Sequence, residues 1–207
     1  IDGARAAGAT GIWVKDAHET GRNLITAMLP EDVTLIRAWA GHPLCMVQEL
    51  DASFDAVMMI GYHDAAGSEA NSLAHTLSSD AVEIRLNGRR ASEFSVHALA
   101  SSMLGVPTVF VSGDRGLMDH VAEVNPAIGR CAVKQGRGQS TVSMTPAAAC
   151  KAIRTGAEAA LRGDLKACLL PVPAPPAPRP PPPTPPLPPA TPFKAGLFST
   201  SHLRLPS

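Results

Sequence analysis

The chain has 207 residues, 45% of them hydrophobic, and its 18 basic side chains balance 18 acidic ones. A formal net charge of zero with only 4% aromatic residues indicates no electrostatic attraction to nucleic acid or anionic membrane, and no surface for stacking bases. No apolar run approaches the roughly 18 residues that cross a bilayer. We therefore expect one globular domain with neither nucleic acid nor membrane as a partner.

Apolar runs and helical patterns alternate along residues 1–170, which predicts an α/β domain with a mixed, mostly parallel sheet and helices on both faces. The predicted strands are 11–15, 33–37, 55–61, 82–86, 107–112 and 131–134. The predicted helices are 1–7, 43–50, 91–104, 117–124 and 146–161. Strand 55–61 is apolar on both faces, so we expect it at the centre of the sheet. The chain opens inside a helix without Met, and we expect a further segment before it.

The last part of the chain has a different composition. Residues 171–207 form a proline-rich tail. Proline lacks the backbone N–H and fixes φ, so this tail should be disordered or extended as polyproline II. A linker is the simplest interpretation, with a ligand for an SH3-like groove as the alternative.

The four cysteines are Cys45, Cys131, Cys150 and Cys168. They are widely spaced and form no C-x-x-C pair, which argues against a cysteine zinc site. We expect free, buried thiols in a reducing compartment, and hence a cytoplasmic protein.

Three histidines and a glutamate follow predicted apolar runs. They are His18, His63, His75 and Glu93. Ligands of open α/β sheets gather beyond the carboxyl ends of the strands, and neutral imidazole and carboxylate are what Zn²⁺ binds. The set therefore predicts a metal site. The polar loop between His63 and His75 could form a lid or substrate wall. Asp16 could orient the His18 ring or cap its loop.

Several segments resemble one family in consistent order. Asp16-Ala17-His18, followed by Asn23-Leu24, is similar to the Asp-Ser/Ala-His and Asn-Leu segment of the zinc D-aminopeptidases encoded in bacterial dipeptide-transport operons. Residues 50–63, 73–76, 87–93, 106–114 and 132–134 resemble later segments of that family. Together these segments cover roughly residues 1–170.

The resemblance implies an aminopeptidase with two Zn²⁺ ions that acts on short peptides with an N-terminal D-residue or glycine. By resemblance His18, His63 and Glu93 are metal ligands and His75 is the catalytic histidine. On chemical grounds we expect a metal-activated water to attack, with His75 as a general base or a transition-state stabiliser. The family also implies a homo-oligomer.

One half of the family's site is missing. The family's first strand carries an Asp-x-Glu pair of ligands, and no such pair occurs near the start of this chain. We therefore expect the domain formed by residues 1–170 to lack the family's N-terminal strand. The alternative function is an inactive, truncated or degenerate member that acts only as an α/β binding module. A serine hydrolase is disfavoured because the chain has no G-x-S-x-G motif.

Overall fold

A computed structural model describes residues 1–172. The predicted tail lies outside the described residues, apart from Pro171 and Val172. The helices are α1 (Asp2–Ala6), α2 (Glu93–Met103), α3 (Arg115–Val124) and α4 (Pro146–Leu161). The strands are β1 (Ile12–Lys15), β2 (Val33–Ile36), β3 (Val57–Tyr62), β4 (Arg85–Leu86), β5 (Arg89–Arg90), β6 (Thr108–Asp114), β7 (Gly129–Arg137) and β8 (Ser140–Ser143).

The main sheet has four strands in the order β3-β6-β7-β8. The first three strands are parallel, and β8 pairs with β7 in antiparallel fashion. Strand β6 is buried along its whole length, as a continuous apolar run at the centre of a parallel sheet requires. The predicted α/β class with a mixed, mostly parallel sheet is therefore confirmed.

Helices cover both faces of this sheet. The crossovers β3-α2-β6 and β6-α3-β7 each connect a strand to its neighbour in the same direction along the sheet. Because such connections are right-handed, α2 and α3 lie on one face of the sheet. The two helices contact each other there. Phe110 of β6 points the other way, and its fully buried ring lies against Gly156 of α4. Helix α1 packs on α4.

Two smaller sheets are separate from the main one. Strands β1 and β2 form a separate parallel pair. Strands β4 and β5 form an antiparallel hairpin whose turn is Asn87-Gly88, with φ of 52° and 79°. Both turn residues are left-handed, as a two-residue hairpin turn of this kind requires.

Three sequence-based expectations about elements were wrong. Strand β3 lies at the edge of the main sheet rather than at its centre, and Ile60 is 50% exposed. Residues 43–50 contain only the 3₁₀ turn Cys45–Val47, because Cys45 and Glu49 have positive φ and interrupt a helix. The strand predicted at 82–86 is reduced to β4.

Candidate metal centre

The carboxyl edge of the main sheet brings together three of the four predicted site residues. One ligand atom from each of His63, His75 and Glu93 lies within 4.8 Å of the other two. The Nε2 atom of His63 is 3.8 Å from Glu93 Oε2, and the Nε2 atom of His75 is 3.6 Å from Glu93 Oε1. The two imidazole rings face each other with centroids 4.2 Å apart.

An irregularity at the end of β3 positions His63. The pairing with β6 shifts register between Met59 and Tyr62, and Gly61 has φ of 80° while its N–H donates to Ser112 Oγ at 3.1 Å. A Cβ at Gly61 would meet no atom within 4 Å, so the backbone makes no close approach that requires glycine there. Glycine is needed for the left-handed φ, and the bulge turns the following residues toward the site.

Glu93 enters the site from the first turn of α2. Ser92 caps this helix in a capping box with Ser95. The Glu93 carboxylate is almost fully buried, and its Oε1 accepts a hydrogen bond from the Leu77 N–H at 2.9 Å. One oxygen is thereby fixed by the backbone that follows His75, which orients the other toward His63.

The backbone selects the tautomer of both histidines. The Nδ1 atom of His63 lies 3.0 Å from the carbonyl oxygen of Asp64, and that of His75 lies 2.7 Å from the carbonyl oxygen of Leu73. A carbonyl oxygen only accepts, so Nδ1 carries the proton in each ring. Each Nε2 then presents a lone pair to the group, which is the form that binds metals.

The chemistry of the three donors fits a bound cation. Two lone pairs and a carboxylate face one another at 3.6 and 3.8 Å, beyond hydrogen-bonding distance. Two ligands of a tetrahedral Zn²⁺, each about 2.1 Å from the ion, would be about 3.4 Å apart. His63, His75 and Glu93 could therefore hold a metal with small adjustments.

The fourth predicted residue stands apart from this group. The His18 side chain is exposed, and His18 is not among the three residues that converge. Its assignment as a ligand stays a prediction. Asp16 contacts the N–H groups of Asn23 and Leu24, at 2.5 and 2.8 Å, so it caps the loop. Burial alone would raise the pKa of Asp16, but the donors Leu24 and Asn23 outweigh burial and lower it.

Sequence reasoning missed the residues that support the site. Asp114, Asn71 and Thr76 are buried, and their side chains hold the loop between the two histidines. The only signal in the sequence was the end of a predicted strand at Asp114. Tyr62 was also missed. Burial, reinforced by the Glu93 charge, raises the pKa of its hydroxyl.

Together, an α/β fold and two oriented imidazoles beside a buried carboxylate define a protein with a preformed site of metal-binding type. A family model for D-aminopeptidases matches residues 1–179. The chain therefore belongs to the D-aminopeptidase family, as its sequence motifs predicted.

Two relatives illustrate this similarity. The chain is 29% identical to a D-aminopeptidase of Bacillus subtilis (strain 168) over 143 residues, which are 69% of this chain and 52% of the relative. It thus spans about half the length of that curated relative. A solved structure, the Zn-dependent D-aminopeptidase DppA from Bacillus subtilis, a self-compartmentalizing protease, has a similar fold, with a TM-score of 0.70. The identity is 24%, and the match covers 77% of this chain and 58% of that one.

None of the helices within residues 1–172 has both the length and the apolar character needed to span a membrane.

Proposed function

We propose that the chain is a zinc-dependent aminopeptidase that hydrolyses short peptides with an N-terminal D-residue or glycine. The observation that carries this proposal is the convergence of two Nε2 lone pairs on the buried carboxylate of Glu93. Family membership supplies the reaction class, and the Zn-dependence of the structural neighbour suggests the metal.

The burial of the three residues supports the roles that the resemblance implies. The side chains of His63 and Glu93 are 16% and 7% exposed, and that of His75 is 35% exposed. We assign His63 and Glu93 to holding Zn²⁺, and the more accessible His75 to contact with the substrate. Bound there, Zn²⁺ would polarise the scissile carbonyl and lower the pKa of an attacking water.

His75 is suited to moving the proton. Its Nδ1–H is held by the Leu73 carbonyl, so Nε2 is free to accept a proton from the attacking water and to return it to the leaving amine. The neighbouring Glu93 carboxylate stabilises the imidazolium that forms between these two steps. Glu93 therefore acts both as a ligand and as the electrostatic partner of the base.

Two zinc ions and a role for His18 as a ligand remain part of the proposal on the strength of the resemblance. One observation favours the alternative, a member that binds without catalysis. The group of donors that the structure brings together within residues 1–172 contains only three residues, and His18 is not one of them. Metal content and peptidase activity measured together separate the two functions.

The test uses the full 207-residue chain, with zinc measured after dialysis and peptidase activity assayed on short peptides with N-terminal D-Ala, L-Ala or Gly. We expect bound zinc, release of D-Ala and Gly in preference to L-Ala, and loss of activity with a chelator. His63→Ala should lose zinc and activity together, whereas His75→Ala should keep its zinc and lose turnover. Bound zinc without hydrolysis of any peptide would favour the binding module, and activity that survives chelation would contradict a metal mechanism.

We extend the proposal to assembly and location. The neighbouring structure is described as self-compartmentalizing, so we propose a homo-oligomer, which sedimentation of the purified chain would test. All four cysteines are free in the structure, which supports a reducing compartment and a cytoplasmic location.

A further inference from the structure

The segment between the two candidate histidines is fastened at both ends to one buried carboxylate. Asp114, at the end of β6, is fully buried. Its Oδ2 accepts the N–H of Asp64, directly after His63, and the side-chain amide of Asn71, four residues before His75, each at 3.0 Å. Its Oδ1 accepts the Leu117 N–H at 2.8 Å and caps α3. We call residues 64–74 the histidine loop.

Further hydrogen bonds connect Asn71 with His75. Its Oδ1 accepts the Leu73 N–H at 3.0 Å, and its carbonyl oxygen accepts the Ala74 N–H at 3.0 Å. The Leu73 carbonyl in turn holds the Nδ1–H of His75. Three successive hydrogen bonds therefore connect the Asp114 carboxylate with the imidazole of His75.

The histidine loop also packs directly against two glycines. A Cβ at Gly116 of α3 would lie 2.1 Å from the Ala70 Cβ and 2.7 Å from the Asp64 carboxylate. A Cβ at Gly136 of β7 would lie 2.3 Å from the Ala70 carbonyl oxygen, which accepts the Gly136 N–H at 3.0 Å. A side chain at either glycine would push the loop away from the sheet edge.

We propose that Asp114 and Asn71 are positioning residues: by holding both ends of the histidine loop on one buried carboxylate, they fix the separation of the His63 and His75 imidazoles. The histidine loop is then a rigid support for the two imidazoles and does not act as a lid. No ion pair to Asp114 forms within residues 1–172, so its charge is satisfied by donors that belong to the loop and to α3. The consequence for catalysis rests on the proposed function, but the attachment itself does not.

The first experiment measures the loop without metal. In the full-length, metal-free protein, amide hydrogen exchange in peptides that cover residues 64–74 should be at least about tenfold faster in Asn71→Ala and in Gly116→Ala than in the wild type. Both variants leave the Asp114 cap of α3 intact, so they should fold. Gly11→Ala is the matched control, because a Cβ at Gly11 would meet no atom within 4 Å. Unchanged exchange in both variants would overturn the proposal.

The second experiment measures the site itself. We expect Gly116→Ala, whose Cβ would displace Asp64 next to His63, to weaken Zn²⁺ binding about 10- to 100-fold, the usual effect of losing a group that orients a ligand. Asn71→Ala acts at the His75 end of the loop, so it should keep most of its zinc affinity and lower kcat. Both variants should alter the visible spectrum of the Co²⁺-substituted protein. Val121→Ala removes core volume from α3, where Val121 is fully buried, and should lower stability without changing that spectrum.

The outcomes distinguish the two proposals. If the wild type binds neither Zn²⁺ nor Co²⁺, the proposed function fails, and hydrogen exchange of the metal-free loop still decides whether Asp114 and Asn71 hold it. If the wild type binds metal while both loop variants keep its affinity and spectrum, the positioning role is wrong and the proposed function stands.

Discussion

Replacing Glu93 by glutamine should separate metal affinity from the stability of the metal-free protein. In Glu93→Gln, the amide oxygen can still accept the Leu77 N–H. The change also removes a buried negative charge that meets no Lys or Arg within residues 1–172. Burying an unpaired charge is costly, so we expect the metal-free variant to melt at the wild-type temperature or above it. The neutral amide should nevertheless be a poor ligand for Zn²⁺.

The expected size of the zinc effect follows from mass action. At free Zn²⁺ 100-fold above the wild-type Kd, binding adds about 2.7 kcal/mol to the free energy of unfolding, or about 5–10 °C in Tm for a domain of this size. If the variant binds about 100-fold more weakly, the same Zn²⁺ concentration adds only about 0.4 kcal/mol, or about 1 °C.

Differential scanning calorimetry with and without Zn²⁺ measures both quantities. Glu123→Gln is the control, because Glu123 is exposed on α3 and the same chemical change there should leave the zinc-induced shift intact. A Glu93→Gln protein that keeps the full wild-type shift would refute the role of this carboxylate as a ligand.

Three further predictions concern the fold around the site. Phe110→Ala should lower the free energy of unfolding by about 3–5 kcal/mol in urea titrations, because the fully buried ring fills the space between β6 and Gly156; a loss below 1 kcal/mol would contradict this packing. Thr145→Ala should cost about 1 kcal/mol, since Thr145 Oγ1 accepts the Ala148 N–H and caps α4, whereas Thr145→Ser should be close to neutral. Iodoacetamide should modify the exposed Cys150 well before the buried Cys168. Burial raises the pKa of the Cys168 thiol, so that less of the reactive thiolate is present at a given pH. Equal rates of modification in the native protein would argue against the buried position of Cys168.

Local signals predicted four of the five expected helices, and the exception is residues 43–50. Helix α4 begins at residue 146 as expected, because a cap at Thr145 and a proline at the first helical position act within one turn. The cysteines show the limit of composition, since we expected buried thiols and Cys150 is exposed. The sequence alone could not show that Cys150 lies on the exposed face of α4.

The position of β3 could not be predicted in the same way. An apolar strand indicates that its side chains are buried. The order of the strands in the sheet depends instead on which strands pair with one another. Here β6 pairs with β3 on one side and with β7 on the other, which leaves β3 at the edge.

The sequence predicted the candidate metal ligands, but it did not predict the residues that hold them in place. His63, His75 and Glu93 were found because metal-binding residue types follow apolar runs, and the structure brings these three together. The bond between Asn71 and Asp114 joins residues 43 positions apart, and it exists only once β6 and the loop have packed. His18 remains a prediction that rests on resemblance.

The three donors come from separate stretches of chain, with His75 roughly midway between His63 and Glu93. A metal ion held by His63 and Glu93 would act as a cross-link that closes the loop of chain between them. Such a cross-link restricts the unfolded chain and must break before β3 can separate from α2. A chelator should therefore shorten the lifetime of the native state, so that the metal-free protein unfolds faster as well as being less stable at equilibrium.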